Sequence, residues 1–132
     1  MPLYSALQAG CIGVEADVWL FDDELYVGHT TSSLTEHLTL QSMYINPLVT
    51  ILERQNPTIK FNQGGDNPAH GVFDTDPAQT LILLIDFKTA GPATWDAVTR
   101  QLAPLRDRGY LTHFNGDEVI QGPVTVVGTG NT

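Results

Sequence analysis

The chain has 132 residues, 42% of them hydrophobic, and a formal net charge of −9 from 15 acidic against 6 basic residues. That length suits one domain with a packed core. The shortage of Lys and Arg argues against nucleic acid as a partner, because a phosphate backbone needs clustered positive charge. Twelve Gly and eight Pro are scattered rather than bunched, so no linker or low-complexity segment stands out, and no internal repeat is found. The single cysteine, Cys11, excludes an internal disulfide; beside an apolar stretch it reads as a small core residue rather than a nucleophile. No apolar run approaches the ~20 residues of a spanning helix. No secretory signal is read at the start, and localisation stays open.

Residues 2–9 (PLYSALQA) predict a short helix, with Pro2 in its first turn and Gly10 at its end. Residues 11–20 (CIGVEADVWL) are rich in β-branched and aromatic types and predict a strand. Asp22-Asp23 make a turn, and residues 24–29 (ELYVGH) read as a shorter extended piece. Residues 34–55 predict helix in two pieces. Leu40, Met43, Tyr44, Leu48, Ile51 and Leu52 carry the apolar spacing, and Pro47 starts the second piece or kinks the first. Residues 56–79 read as loop, with 63–68 (QGGDNP) the clearest turn material.

Residues 81–88 (LILLIDFK) predict a strand whose unbroken apolar run implies burial on both faces, as in a parallel sheet. Residues 93–108 predict a helix capped by Thr94, kinked at Pro104 and ended by Gly109. Gly116-Asp117 mark a turn, and residues 123–130 (PVTVVGTG) form a last strand running into a Gly-containing loop. The alternation of helix and strand argues for an α/β fold with a parallel sheet. Right-handed crossovers put the helices on one face, as in a barrel, or on both, as in an open sheet.

Glu15 and Asp17 lie two apart on a predicted strand, so both side chains share a face, with Val14, Ala16 and Val18 on the other. Asp86 and Lys88 repeat the pattern on the next long strand. There Ile82, Leu84, Asp86 and Lys88 face one way and Leu81, Leu83, Ile85 and Phe87 the other. Both charged pairs fall towards the C-terminal ends of their strands, where parallel α/β folds build their sites. Three converging carboxylates repel one another without a cation, and oxygen ligands of this kind suit Mg²⁺ or Ca²⁺. Lys88 then offers a fixed positive charge to a phosphate oxygen. The plainer alternative is that each pair is a strand end meeting solvent.

His29 follows Asp17 by twelve residues, after the turn and short strand, and could fold back over the carboxylates. Its ordinary titration range suits proton transfer. His37, His70 and His113 have no such company and read as solvent-facing. Gly128-Thr129-Gly130-Asn131 could bring backbone N–H groups to a phosphate, though a tight turn after a strand explains it equally well. Trp19 and Trp95 read as core or wall residues, and Trp19, two residues past Asp17, is also in reach of a pocket.

GCIGVEADVWL followed by ELYVGH resembles the glycerophosphodiester-phosphodiesterase-like group of the phospholipase-C-like phosphodiesterase superfamily, as does LLIDFKT. The longer stretches PLYSALQAGCIGVEADVWL, GVFDTDP with QTLILLIDFKT, and PVTVVGTGN resemble one fungal branch, the altered inheritance of mitochondria protein 6 family. The resemblance implies an α/β fold of the TIM (β/α) barrel type. It implies that Glu15, Asp17 and Asp86 hold the metal, Mg²⁺ or Ca²⁺, that His29 is one of two catalytic histidines, and that Lys88 contacts phosphate. In that group two histidines share the acid and base roles while a water or an internal hydroxyl attacks phosphorus and an alcohol leaves.

The resemblance also sets expectations about what is not here. The second histidine belongs to a His-Asn-Asp-Tyr-like segment on a strand before the helix that begins at Pro2. A complete barrel typically takes ~250 residues. Residues 1–132 are therefore expected to be a single incomplete barrel domain, an N-terminal half lacking the first strand, with little turnover and with open sheet edges that invite self-association. The expected activity is metal-dependent phosphoric diester hydrolysis of glycerophospho- or phospholipid-type substrates. One alternative is a non-catalytic remnant that binds a metal or a partner. Another is an orotidine-phosphate-decarboxylase-like barrel, whose D-x-K-x-x-D strand DFKTA also resembles. That motif needs an acid at Gly91 and leaves Glu15, Asp17 and His29 unexplained.

Overall fold

The computed structural model describes residues 3–56, 71–73 and 79–131. In chain order the elements are α1 (Leu3–Gln8), β1 (Gly13–Phe21), β2 (Glu24–Val27), a π-type turn (Gln41–Ile45) running into α2 (Asn46–Gln55), β3 (Leu81–Phe87), α3 (Gly91–Gln101), α4 (Ala103–Asp107), β4 (His113–Phe114), β5 (Val119–Ile120) and β6 (Val124–Gly130). The fold is mixed α/β. Its main sheet has the order β2-β1-β3-β6, and β4 and β5 form a separate small hairpin around the Gly116-Asp117 turn.

β1, β3 and β6 are parallel, with Asp17 beside Asp86 and Asp86 beside Thr129. β2 is antiparallel to β1 and so does not extend the parallel set. The cause lies in the turn. Asp22 and Asp23 both adopt left-handed backbone, with φ of 51° and 62°. That pair of conformations is what a tight two-residue hairpin requires, and Asp is among the few side chains that tolerate it.

The period-2 pattern of β3 is visible in its burial. Leu81, Leu83, Ile85 and Phe87 are fully buried and join Ala16, Val18 and Val124 in the core. Leu48 and Leu52 of α2, Ala97 and Val98 of α3 and Leu105 of α4 complete it. Each such Leu or Ile contributes roughly 1.5–3 kcal/mol through burial. The other face of β3 departs from the expected double burial. Ile82, Leu84 and Asp86 are only half-buried, because that face opens onto the space in which the site carboxylates meet.

The helices correct the sequence reading in three places. Residues 34–40 do not form the front of a helix. Thr39 and Ser42 exchange reciprocal bonds, each backbone N–H donating to the other's hydroxyl at 3.1 Å, and helix starts only after Thr39. Pro47 does occupy the first turn of α2. Thr94 is not a cap: α3 begins at Gly91 with Pro92 in its first turn, and buried Thr94 pairs its hydroxyl with Thr89. Trp95 is half-exposed rather than core, since Thr94, Ala97 and Val98 take α3's buried stripe and leave the indole at its edge against Phe87.

Near Pro104 the chain breaks between α3 and α4. Gly109, with φ +74°, closes α4 as Tyr110 N–H donates to the Leu105 carbonyl at 3.0 Å. The expected turn at 63–68 and His70 lie outside the described residues.

Candidate active site

Parallel pairing alone sets Asp17 and Asp86 side by side, and Glu15 is one step earlier on the same face of β1. Their ligand oxygens all lie within 4.8 Å of one another. Asp17 is the most enclosed, at 8% exposure. Its Oδ2 meets His29 Nδ1 at 3.0 Å, while its buried Oδ1 has no hydrogen-bond partner among the described residues. Buried polar atoms without partners are rare, and a carboxylate oxygen in that position is available to ligate a cation. A cluster of three carboxylates with one orphaned oxygen fits a hard divalent cation such as Mg²⁺ or Ca²⁺.

Lys88 Nζ lies 2.9 Å from Asp86 Oδ2. The Asp86 hydrogen bond chiefly holds the ammonium above its ordinary pKa, against some desolvation, and the charges of Asp86, Asp17 and Glu15 add to it. Lys88 thus stays cationic at neutral pH. Its backbone is pinned too, with the N–H donating to the Val18 carbonyl at 2.9 Å.

His29 reaches Asp17 because β2 runs back along β1. Gly28 N–H donates to the Asp17 carbonyl at 3.1 Å, and the next residue's imidazole falls over the carboxylate. The imidazole side chain is 90% exposed, so it is open to an arriving molecule. At position 28 a Cβ would sit 2.5 Å from Ser33 Oγ and 3.0 Å from a Leu34 methyl, so both side chains would have to shift to admit one. Beneath this loop the Trp19 indole N–H donates to the Gly28 carbonyl at 2.8 Å.

Three contributors escaped the sequence reading. Tyr44, buried on the π-type turn, donates its hydroxyl to the Glu15 carbonyl at 3.0 Å. Burial raises the Tyr44 pKa, and the charges of Asp17 and Glu15 raise it further, so the phenol remains a donor. Single π turns cluster at functional sites and are not legible from apolar spacing. Tyr44→Phe is expected to cost about 1–2 kcal/mol by leaving that carbonyl unpaired, measured by denaturant unfolding.

Gly130 is the second, since its Cα packs directly against the Asp86 carboxylate and the Phe87 backbone. Cys11 is the third. It is half-exposed rather than core, and with Ala6, Gly13, Val14, Glu15, Asp17 and His29 it lines a cleft of ≈ 240 Å³.

The remaining sequence candidates are not brought together. His37 and His113 are exposed, and among the described histidines only His29 is within ion-pair distance of a site carboxylate. Gly128-Thr129-Gly130 is not a phosphate-cradling turn: it pairs with β3 as far as Gly130, and the Asn131 N–H is committed to the Phe87 carbonyl at 3.0 Å.

No described helix is long and apolar enough to cross a membrane. No solved structure matches the chain significantly. Among curated proteins it is 52% identical over 128 residues to the altered inheritance of mitochondria protein 6 homolog of Arthroderma benhamiae, covering 96% of this chain and 40% of that protein. It is 44% identical over 138 residues to the altered inheritance of mitochondria protein 6 of Lachancea thermotolerans, covering 99% and 31%. For the Saccharomyces cerevisiae protein of the same name the identity is 37% over 137 residues, covering 99% and 34%. The chain thus spans well under half the length of these relatives. The model of one family, the AIM6-like phosphodiesterase domain, matches residues 1–132 from end to end, and the chain belongs to that family.

Proposed function

We propose that this domain contributes the metal-binding and acid–base part of a phosphoric diester hydrolase acting on glycerophospho- or phospholipid-type diesters. The observation that carries it is the convergence of Glu15, Asp17 and Asp86 within 4.8 Å, with His29 and Lys88 each bonded to one of them. A Mg²⁺ or Ca²⁺ held by the three carboxylates supplies Lewis-acid polarisation of a phosphoryl oxygen. Lys88 uses one of its three donors on Asp86 and has others for a non-bridging oxygen. Asp17 engages His29 at Nδ1, which leaves Nε2 facing solvent to take or deliver a proton.

The architecture in this proposal is part of a (β/α) barrel. In support, β1, β3 and β6 are adjacent, parallel and in chain order, and Asp17 and Asp86 sit one pair before the C-terminal end of the parallel β1–β3 ladder, although β1 itself runs on to Phe21 and leaves Glu15 in its first half. The outer edge of β6 carries no charge along Val124–Gly130. Among the described residues its partner there is a single bridge from Leu111. A further barrel strand, or a second copy of the chain, would pair at such an edge.

Hydrolysis of bis(p-nitrophenyl) phosphate and of glycerophosphodiesters tests the proposal. Turnover is expected to need Mg²⁺ or Ca²⁺, to stop on chelation, and to fall roughly 10²–10³-fold in Lys88→Gln. Turnover indifferent to chelation would sink it. One observation favours a second reading, that of a metal-binding module without catalysis: a single described histidine attends the site. Calorimetric metal binding without any turnover would select that reading.

A further inference from the structure

We infer that Trp19 is a positioning residue for His29, acting through its indole N–H rather than through its ring. The inference rests on the acid–base role proposed for His29, and it adds a residue that the metal and phosphate contacts do not include.

Three observations carry it. The first is the bond from Trp19 Nε1 to the Gly28 carbonyl, 2.8 Å, across nine residues of chain. The second is the opposite anchor of the same residue, since the Gly28 N–H donates to the Asp17 carbonyl at 3.1 Å. Both polar groups of Gly28 are therefore held, one by a side chain and one by the strand that carries the carboxylate. The third is the packing at Gly28, where the Ser33 and Leu34 side chains lie close against it.

His29 begins immediately beyond this clamp. Its ring is 90% exposed, and among the described residues its one polar contact is with Asp17. An imidazole with so little packing keeps one position only if its backbone is fixed. Of the two anchors on Gly28, the backbone bond to Asp17 is common to any paired strand. The indole bond is the specific one. Trp19 itself is half-buried and stacked on Phe21, with ring centroids 6.4 Å apart and 16° between planes. Strand alternation puts Trp19 on the same face as Glu15 and Asp17, and it is that placement, not the stack, that aims the donor at the Gly28 carbonyl.

The test compares Trp19→Phe, which keeps an aromatic ring but removes the donor, with Phe21→Leu, which removes the stack but keeps the donor. In Trp19→Phe, kcat on bis(p-nitrophenyl) phosphate is expected to fall about ten- to a hundredfold, part of what a positioned acid–base histidine supplies. KM and the calorimetric Mg²⁺ affinity are expected to stay within about threefold, since the indole touches no metal ligand. Phe21→Leu is expected to stay near the unaltered kcat.

A second readout does not depend on turnover. ¹³C relaxation of the His29 ring is expected to show one ordered ring in the unaltered protein and a mobile one in Trp19→Phe. If no diester is hydrolysed by any form, the proposed function fails while the ring order still decides the role of Trp19. Equal ring order in both proteins overturns the inference, as does an equal loss of kcat in Phe21→Leu. Should Trp19→Phe not fold, the unaltered protein decides. Its Trp19 indole proton is expected to exchange with solvent at least tenfold slower than free tryptophan, and exchange at the free rate overturns the bond.

Discussion

Asp17→Asn is expected to abolish divalent metal binding and reduce phosphodiester turnover to background, while leaving the fold intact. Asp17 does two jobs with its two oxygens. Oδ1 is buried without a partner, and Oδ2 holds His29 at 3.0 Å. The amide has almost the same shape, so the core around Ala16 and Val18 is undisturbed. It carries no charge, however, and presents a donor where a ligand or a histidine needs an acceptor. Acid–base catalysis alone accounts for roughly 10²–10⁴-fold of the loss.

Stability should move the other way. In the metal-free protein, Glu15, Asp17 and Asp86 repel one another across less than 5 Å, and removing one charge relieves that repulsion. The exposed His29 pair offers little to offset it. The melting temperature of metal-free Asp17→Asn is therefore expected to equal or exceed that of the unaltered protein. Calorimetric titration with Mg²⁺ and Ca²⁺, paired with melting curves under chelation, reads both effects. Undiminished metal affinity in Asp17→Asn would remove the carboxylate cluster from consideration.

Gly130→Ala is expected to be the most damaging small change at the site. Gly130 has φ +74°, where an L side chain is strained, and the volume is already taken. A Cβ would lie 2.1 Å from Asp86 Oδ1, 2.6 Å from the Phe87 carbonyl oxygen and 2.9 Å from the Phe87 nitrogen. The side chain of Asp86 can turn away, but the Phe87 backbone belongs to the ladder between β3 and β6 and cannot. Strain plus overpacking amounts to roughly 2–5 kcal/mol. Asp86 is pushed off its position as a consequence, so metal affinity should drop together with stability. That coupled loss separates Gly130→Ala from Asp17→Asn, which loses function alone. Unfolding in urea with calorimetry on the folded fraction measures it, and a fully stable Gly130→Ala would show that Gly130 is not held against the Phe87 backbone.

The carboxylates were legible in the sequence because a strand's period is fixed. Glu15 and Asp17 on one face, and Asp86 and Lys88 on another, follow from alternation alone, and parallel pairing then brings the faces together. The return of His29 was legible for a related reason, since two adjacent Asp residues between short extended runs make a hairpin turn. What alternation does not contain is how the chain closes around the site. The bond from Tyr44 depends on a π-type turn that offsets the helix, and apolar spacing does not distinguish that turn from ordinary helix. The need for glycine at 130 arises from its left-handed φ and from the Phe87 backbone packed against it, neither of which alternation contains. Thr94 looked like a cap because its type favours that position, but Pro92 in the first turn sets the start of α3 and draws Thr94 inside. Trp95 looked like core because it is large, yet the adjacent small residues fill the stripe that faces the sheet.

The arrangement of charge around Asp17 and Asp86 has a consequence for the order of events. Counted as ions, the cluster holds three negative charges and the single permanent positive charge of Lys88. It is electrically short by two, the charge of one divalent ion. A phosphodiester is itself an anion, so it is repelled from the bare cluster. In the proposed function a neutralised site would accept that anion. Electroneutrality would then work as a gate: an anionic diester would be admitted only once the cation was in place.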